Sequence, residues 1–312
     1  MPASAALLPV LAALGPVFGL IALGTVLRRC GFPGSGFWQP AERLSYYLLL
    51  PALLLRELAR ADFGALAVGG VVVALLATIA LMSVLALRLR RWLGNDGPAF
   101  GASFQGVIRL NTYVGLATAL PLYGAAGGAL AALALAVMVP VVNLLSVLVI
   151  THALGHAQPA HLLRQLAGNP LILACAAGIA LNVSGLGLPP GSEGFTRILA
   201  QAALPLGLLA MGAALQIAAV RGRAAAITVT VLLKLVLAPL LAAALARLCA
   251  LPALESAVVV LFAALPSAPS AYILARQLGA DAPLAAVVIT VETLAAMLTL
   301  PLVVLLCAGP HS

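Results

Sequence analysis

Charge is what this sequence has least of. Asp, Glu, Lys and Arg together make 8% of its 312 residues, and only eight residues are acidic. A soluble domain carries about 25% charged residues, so an ordinary water-facing surface is excluded. Aromatic residues are few as well, at 5%. The four cysteines, Cys30, Cys175, Cys249 and Cys307, are scattered without ligand spacing and read as small apolar residues. No Walker loop, dinucleotide fingerprint or Ser/His/Asp arrangement is present. The missing Walker loop argues against a built-in ATPase. No enzyme activity and no cofactor are expected. Long polar stretches are missing too, so no inserted soluble domain is expected.

What fills the chain is apolar. Hydrophobic residues make 64% of it, with a mean hydropathy of +1.18. A helix needs about 20 residues to cross a bilayer. Candidate runs lie at 7–27, 44–60, 63–87, 98–122, 125–150, 169–184, 195–219, 224–248, 254–278 and 283–307, the second and sixth being short. They are continuous rather than alternating, which selects helices over a barrel. The expectation is an all-α polytopic membrane protein with ten transmembrane helices. The first run lacks a positively charged leader and is long enough to span, so it reads as a retained helix. A net charge of +8 would suggest nucleic acid in a soluble protein. Here Lys and Arg mark loops, and the lipid bilayer rather than nucleic acid is the expected partner.

The chain repeats itself. Shifted by 154 residues, Pro16 falls on Pro170, Gly24 on Gly178, Gly31 on Gly185, and Leu50-Pro51 on Leu204-Pro205. Shifted by 155, Asn111 falls on Pro266 and Gly124 on Gly279. Residues 1–154 and 155–312 then form two repeats of five spans. An odd number of spans per repeat inverts the second repeat relative to the first. Loops after the odd spans carry Arg28, Arg29, Arg43, Arg88, Arg90, Arg91, Arg164, Arg221, Arg223 and Arg276, against Arg56, Arg60, Arg197 and Arg247 on the other side. The richer side is cytoplasmic, and both termini are expected outside, in the periplasm of a bacterial inner membrane.

Two spans are interrupted. Arg109-Leu-Asn-Thr-Tyr-Val-Gly115 puts Arg, Asn and Thr in the middle of an apolar run, where each is costly unless paired or facing a cavity. Leu265-Pro-Ser-Ala-Pro-Ser-Ala271 removes two backbone donors within another run. Broken helices at corresponding places of two repeats point to a transporter's substrate site. Half-helices beginning near Asn111 and Ser267 would aim positive N-terminal ends at that depth.

Arg109 and Lys234 lie mid-span with one acidic residue, Glu292. One reading is an internal ion pair that holds helices together; the other is a lined substrate or proton path. Two positives and one negative leave a positive charge for an anion to neutralise. Arg109 either grips a carboxylate or bonds carbonyls freed at its own break. Asn143, mid-span in the fifth run, either reaches a cavity or caps a neighbouring backbone group. Asn169-Pro170 reads as a helix start, and Leu50-Pro51 and Leu204-Pro205 as kinks. His152 and His156 share a helical face, with His161 nearby. They lack a carboxylate or cysteine companion and read as a solvated loop, so no metal site is expected.

These motifs resemble a known family. Asn-Thr-Tyr-Val-Gly at 111–115, Pro-Ser-Ala-Pro-Ser-Ala-Tyr-Ile-Leu-Ala-Arg-Gln-Leu-Gly-Ala-Asp at 266–281, and Tyr-Leu-Leu-Leu-Pro-Ala-Leu-Leu-Leu-Arg at 47–56 are similar to the bacterial branch of the auxin efflux carrier family. The resemblance covers essentially the whole chain. Plant members carry Asn-Pro-Asn-Thr-Tyr where this chain has Arg109-Leu110-Asn111-Thr112-Tyr113, a departure that points away from auxin itself. The long cytoplasmic loop of many plant members is absent.

The resemblance implies an architecture similar also to bile acid:sodium symporters. Spans 1, 2, 6 and 7 would form a scaffold that dimerises. Spans 3, 4, 5, 8, 9 and 10 would form a transport domain, with broken helices 4 and 9 crossing, that moves like an elevator. Asn111, Thr112 and Tyr113 with Pro266, Ser267 and Ser270 would hold the substrate, faced by Leu50 and Pro51. The expected function is secondary transport of a small organic anion, coupled to protons or driven by potential. Lys234 would pair with Glu292 in place of sodium. Sodium symport is the alternative reading; a channel and a histidine-using membrane enzyme are the rivals from other classes.

Overall fold

A computed structural model of the chain describes residues 3–34, 36–94, 96–155, 168–215 and 223–307. His156, His161, Arg164 and Arg221 lie outside the described residues. The described residues are helical and contain no strand. Six helical segments are long and apolar enough to cross a membrane: Leu8–Arg29, Val68–Arg88, Gly97–Ala153, Ser192–Ala214, Ala224–Leu248 and Ala282–Cys307. Pro170–Val183 and Ala253–Ala264 are shorter apolar helices. Exposed leucines and valines such as Leu8, Val84, Leu240, Leu298 and Leu306 cover the outside, as suits a lipid-facing surface. The fold is an all-α polytopic membrane protein.

In chain order the helices are α1 (Ala3–Arg29), α2 (Trp38–Leu44), α3 (Leu50–Ala59), α4 (Val68–Arg88), α5 (Arg90–Leu93), α6 (Gly97–Ile108), α7 (Thr112–Ala153), α8 (Pro170–Val183), α9 (Ser192–Ala214), α10 (Ala224–Leu232), α11 (Ala238–Leu248), α12 (Ala253–Ala264), α13 (Ser270–Leu278) and α14 (Ala282–Cys307). Gly124, at φ 62 and ψ −154, interrupts α7. Two wide π turns, Ser45–Leu49 and Leu233–Leu237, join α2 to α3 and α10 to α11. Each ends two residues before a proline, Pro51 and Pro239. A proline ring clashes with the carbonyl four residues back and offers it no N–H, and widening the preceding turn relieves both. Pro205 sits inside α9 with no such turn.

The chain clusters into two compact units. The first comprises Met1–Leu66, Tyr113–Ala136 and Gln165–Ala214. Its helices α1 and α9 pack backbone against backbone. A Cβ on Gly24 would strike the Leu209 carbonyl, and one on Gly212 the Ile21 carbonyl. Thr25 donates to the Gly212 carbonyl at 2.8 Å, and Arg28 to the Ala213 carbonyl at 3.0 Å, satisfying acceptors at the end of α9. Small residues at such a crossing are the usual means of close approach in lipid. Gly212→Ala is therefore expected to lose about 2 kcal/mol of stability or more. Gly19→Ala, with nothing within 4 Å of the added carbon, should change it little. Thermal unfolding in detergent measures both, and equal midpoints would contradict the close crossing.

The second unit comprises Ala67–Thr112, Val137–Arg164 and Leu215–Ser312. Its helix starts are capped by carboxylates. Asp96 accepts from Ala99 N–H at 2.7 Å at the start of α6, and Asp281 from Leu284 N–H at 2.9 Å at the start of α14. Glu255, 4% exposed, accepts from Ala67 N–H at 3.1 Å and caps α4 from a distance in sequence. Arg223 reaches Asp96 at 2.8 Å and Asp281 at 3.6 Å, tying the starts of α6, α10 and α14 together. Its hydrogen bond holds the Asp96 carboxyl below the usual range, helped by Ala99 N–H. The pair is half exposed, so its net worth is small.

Candidate functional site

Both interrupted spans are broken where Arg, Asn and Pro fall, and they are built alike. Each opens with a helix of 12 residues, Gly97–Ile108 and Ala253–Ala264, at an offset of 156. Arg109 and Leu265 then turn extended, at ψ 160 and 140. Leu265 precedes Pro266, whose ring disfavours helical backbone at the residue before it. The second halves start at Thr112 and Ser270, slightly later than the expected Asn111 and Ser267. Pro269 explains the second shift, because it fixes the residue that leads into α13.

Arg109 is 7% exposed and lies in the second unit, as do Asn143 and Ser270. Its guanidinium donates to Gln105 Oε1 at 3.2 Å, Asn143 Oδ1 at 2.8 Å and Ser270 Oγ at 3.2 Å. These acceptors are neutral side-chain oxygens from α6, α7 and α13. Asn143 thus contacts the arginine. Both 3.2 Å bonds are long for a charged donor.

The second break carries Glu292. This carboxyl is fully buried, and its Oε2 accepts from Ser267 N–H at 2.7 Å, a backbone donor freed by the break. Its Oε1 has no hydrogen-bond partner among the described residues. Gly106 lets α6 come close here. A Cβ on it would sit 2.5 Å from Thr230 Cγ2, 2.7 Å from Val288 Cγ1 and 3.2 Å from Glu292 Oε1. Lys234, 2% exposed, lies on the π turn Leu233–Leu237. No direct ion pair joins it to Glu292 among the described residues. Glu292 is held first by backbone, because a freed N–H in a dry interior is itself costly.

The remaining expected residues are placed as follows. Asn111 and Ser267 are fully buried, Pro266 is buried, and Thr112 is half-buried, all in the second unit. Tyr113, Leu50 and Pro51 belong to the first unit, where Tyr113 presses its ring onto Gly207. A Cβ at Gly207 would overlap that ring. Two residues escaped the sequence reading: Gln105, whose signal was its position one helical turn before Arg109, and Glu255, hidden at a helix start. His152 is exposed, and among the described residues no cluster of His, Cys, Asp and Glu could hold a metal ion.

Comparison with known proteins adds to this geometry. The family described as membrane transport protein matches residues 157–304. An uncharacterized transporter from Methanothermobacter thermautotrophicus is 26% identical over 293 residues, covering 92% of this chain and 94% of that protein. A protein of Rhizobium meliloti named "putative malonate transporter" is 31% identical over 300 residues, covering 91% of each. The matching family and both relatives are transporters, not enzymes.

Proposed function

The chain belongs to the membrane transport protein family, the auxin efflux carriers, and from that premise we propose that it carries a small organic anion, a carboxylate, by alternating access. The observation that carries this is a buried arginine at a helix break, gripped by neutral oxygens that a carboxylate oxygen can replace. The name of the Rhizobium meliloti relative supports the same class. Arg109, Asn111, Thr112, Tyr113, Asn143, Pro266, Ser267, Ser270, Leu50 and Pro51 are the residues proposed to hold the substrate. Lys234 and Glu292 would balance charge during the cycle. The equal 12-residue half-helices support two inverted repeats of five spans, ten in all, whose broken helices cross.

We further propose a scaffold of the first, second, sixth and seventh spans, which fall in the first unit together with Tyr113–Ala136, with dimerisation of that scaffold and elevator-like movement of a transport domain as parts of the same reading. The substrate would be driven by protons or by membrane potential; sodium coupling is the competing reading, since Glu292 offers an oxygen without a partner.

Proteoliposomes holding the purified protein should accumulate labelled malonate, faster with an inward proton gradient or an imposed potential than without. Sodium-dependent uptake would favour the competing coupling, stepwise single-channel currents would favour a pore, and absence of uptake for every carboxylate tried would overturn the anion reading. The topology has its own check. Reporters fused at Met1 and at Ser312 should both read out as periplasmic in a bacterial inner membrane, and a cytoplasmic signal from either would contradict the ten-span inverted arrangement.

A further inference from the structure

Gln105, beside Arg109, is only half used among the described residues. The guanidinium carries donors and no acceptor, so it fixes which way the Gln105 carboxamide faces. The oxygen meets Arg109 at 3.2 Å, and the amide nitrogen must point the other way. There Gln105 Nε2 has no hydrogen-bond partner among the described residues, although the residue is 0% exposed. A buried amide N–H is as a rule paired, by protein, water or ligand. Rotating the amide would not relieve it, because two sets of donors would then face each other at Arg109.

The surroundings make this more than a packing defect. Gln105 lies on α6 one turn before Arg109 and takes its Nη1, while Asn143 and Ser270 take its Nη2. The guanidinium is therefore held at both terminal nitrogens, while the amide N–H₂ next to it is a donor awaiting an acceptor. A polar donor left open in a dry interior beside a cation is an arrangement for oxygen atoms of an anion.

Resting on the carboxylate reading above, we propose that Gln105 is a second anion-binding donor and sets a preference for short dicarboxylates. One carboxylate takes a position on Arg109. The second, a carbon or two away, accepts from Gln105 Nε2. A monocarboxylate satisfies the guanidinium and leaves the amide open. The same residue therefore both orients Arg109, through its oxygen, and discriminates between substrates, through its nitrogen. Discrimination of this kind is strong when a site's buried polar group is left unpaired by the wrong ligand.

The test compares malonate with its monomethyl ester, which keeps one carboxylate and nearly the same shape, in proteoliposomes. The parent protein should half-saturate at about tenfold lower malonate than ester, the worth of one hydrogen bond to a charged group. Gln105→Met keeps the length and removes both donor and acceptor. It should raise the malonate value about tenfold and the ester value much less, collapsing the preference. Gln105→Leu likewise removes the donor without adding charge beside Arg109, and should also raise the malonate value more than the ester value. If Gln105→Met does not assemble, as judged by size exclusion, Gln105→Leu decides alone. Equal losses for both compounds in either variant would mean that Gln105 only positions Arg109 and would overturn the proposal. A parent protein that carries both compounds without preference overturns it while leaving the carboxylate reading intact; one that carries no carboxylate overturns both.

Discussion

Replacing Arg109 with Gln is expected to cut carboxylate uptake about a hundredfold, while a neutral diester or diamide of the same compound changes within about threefold. The asymmetry follows from what the side chain offers. A guanidinium binds a carboxylate through two parallel charged hydrogen bonds, each worth about 1.5–3 kcal/mol where water is excluded. A neutral analogue loses only ordinary hydrogen bonds. Arg109→Lys should fall between the two, since the charge survives and the planar fork does not.

The existing partners sharpen the expectation. Asn143 at 2.8 Å is the firm anchor, Gln105 at 3.2 Å orients the guanidinium, and Ser270 at 3.2 Å is the contact a substrate would displace. Asn143→Ala should therefore weaken uptake by loosening the guanidinium, in the same direction as Arg109→Lys. Parallel loss of anion and neutral analogue in Arg109→Gln, measured as initial rates at matched protein levels, would mean that Arg109 only holds the break together.

Much of this was legible in the sequence because it depends on composition and on local chemistry. The scarcity of charge alone excludes a soluble fold. Pro266 and Pro269 break their span by removing N–H groups and restricting their neighbours, which needs no tertiary knowledge. Arg109 and Glu292 stood out because an ionisable side chain in an apolar run must find something to satisfy it. What it finds is another matter, since that depends on helices distant in sequence. Glu292 bonds the backbone of Ser267, 25 residues earlier, where charge counting offered Lys234. Gln105 was hidden because an uncharged amide in a helix raises no alarm until its neighbour's donors fix its orientation. Glu255 was hidden because a carboxylate at a helix start looks solvated, whereas here it caps α4. The helical stretch that leads into the run at residue 44 begins earlier, at Trp38, since Glu42 and Arg43 bound the apolar run without ending the helix.

Lys234 and Glu292 supply the second large effect. Glu292→Ala is expected to cost about 3–5 kcal/mol, because it strands a buried ammonium and also leaves Ser267 N–H without its acceptor. Glu292→Gln separates these two losses. It keeps an oxygen for the backbone donor and removes only the charge, so it should be the milder variant. Lys234→Met removes the ammonium with little change of volume and should cost about 3 kcal/mol through the buried carboxylate it leaves. The double variant Lys234→Met with Glu292→Gln should be more stable than the sum of the two losses predicts, by about 1–3 kcal/mol. With no direct bridge between the two side chains, the expected coupling lies toward the lower end of that range. Combining Lys234→Met with Glu292→Ala should stay worse than the Gln double, since no oxygen then faces Ser267. Unfolding midpoints of the parent, Lys234→Met, Glu292→Gln and their double variant close the cycle. Strict additivity would mean that the two charges are independent and that Glu292 is a cap for the broken helix alone. A coupling energy together with lost uptake in the stable double variant would tie the pair to the transport cycle.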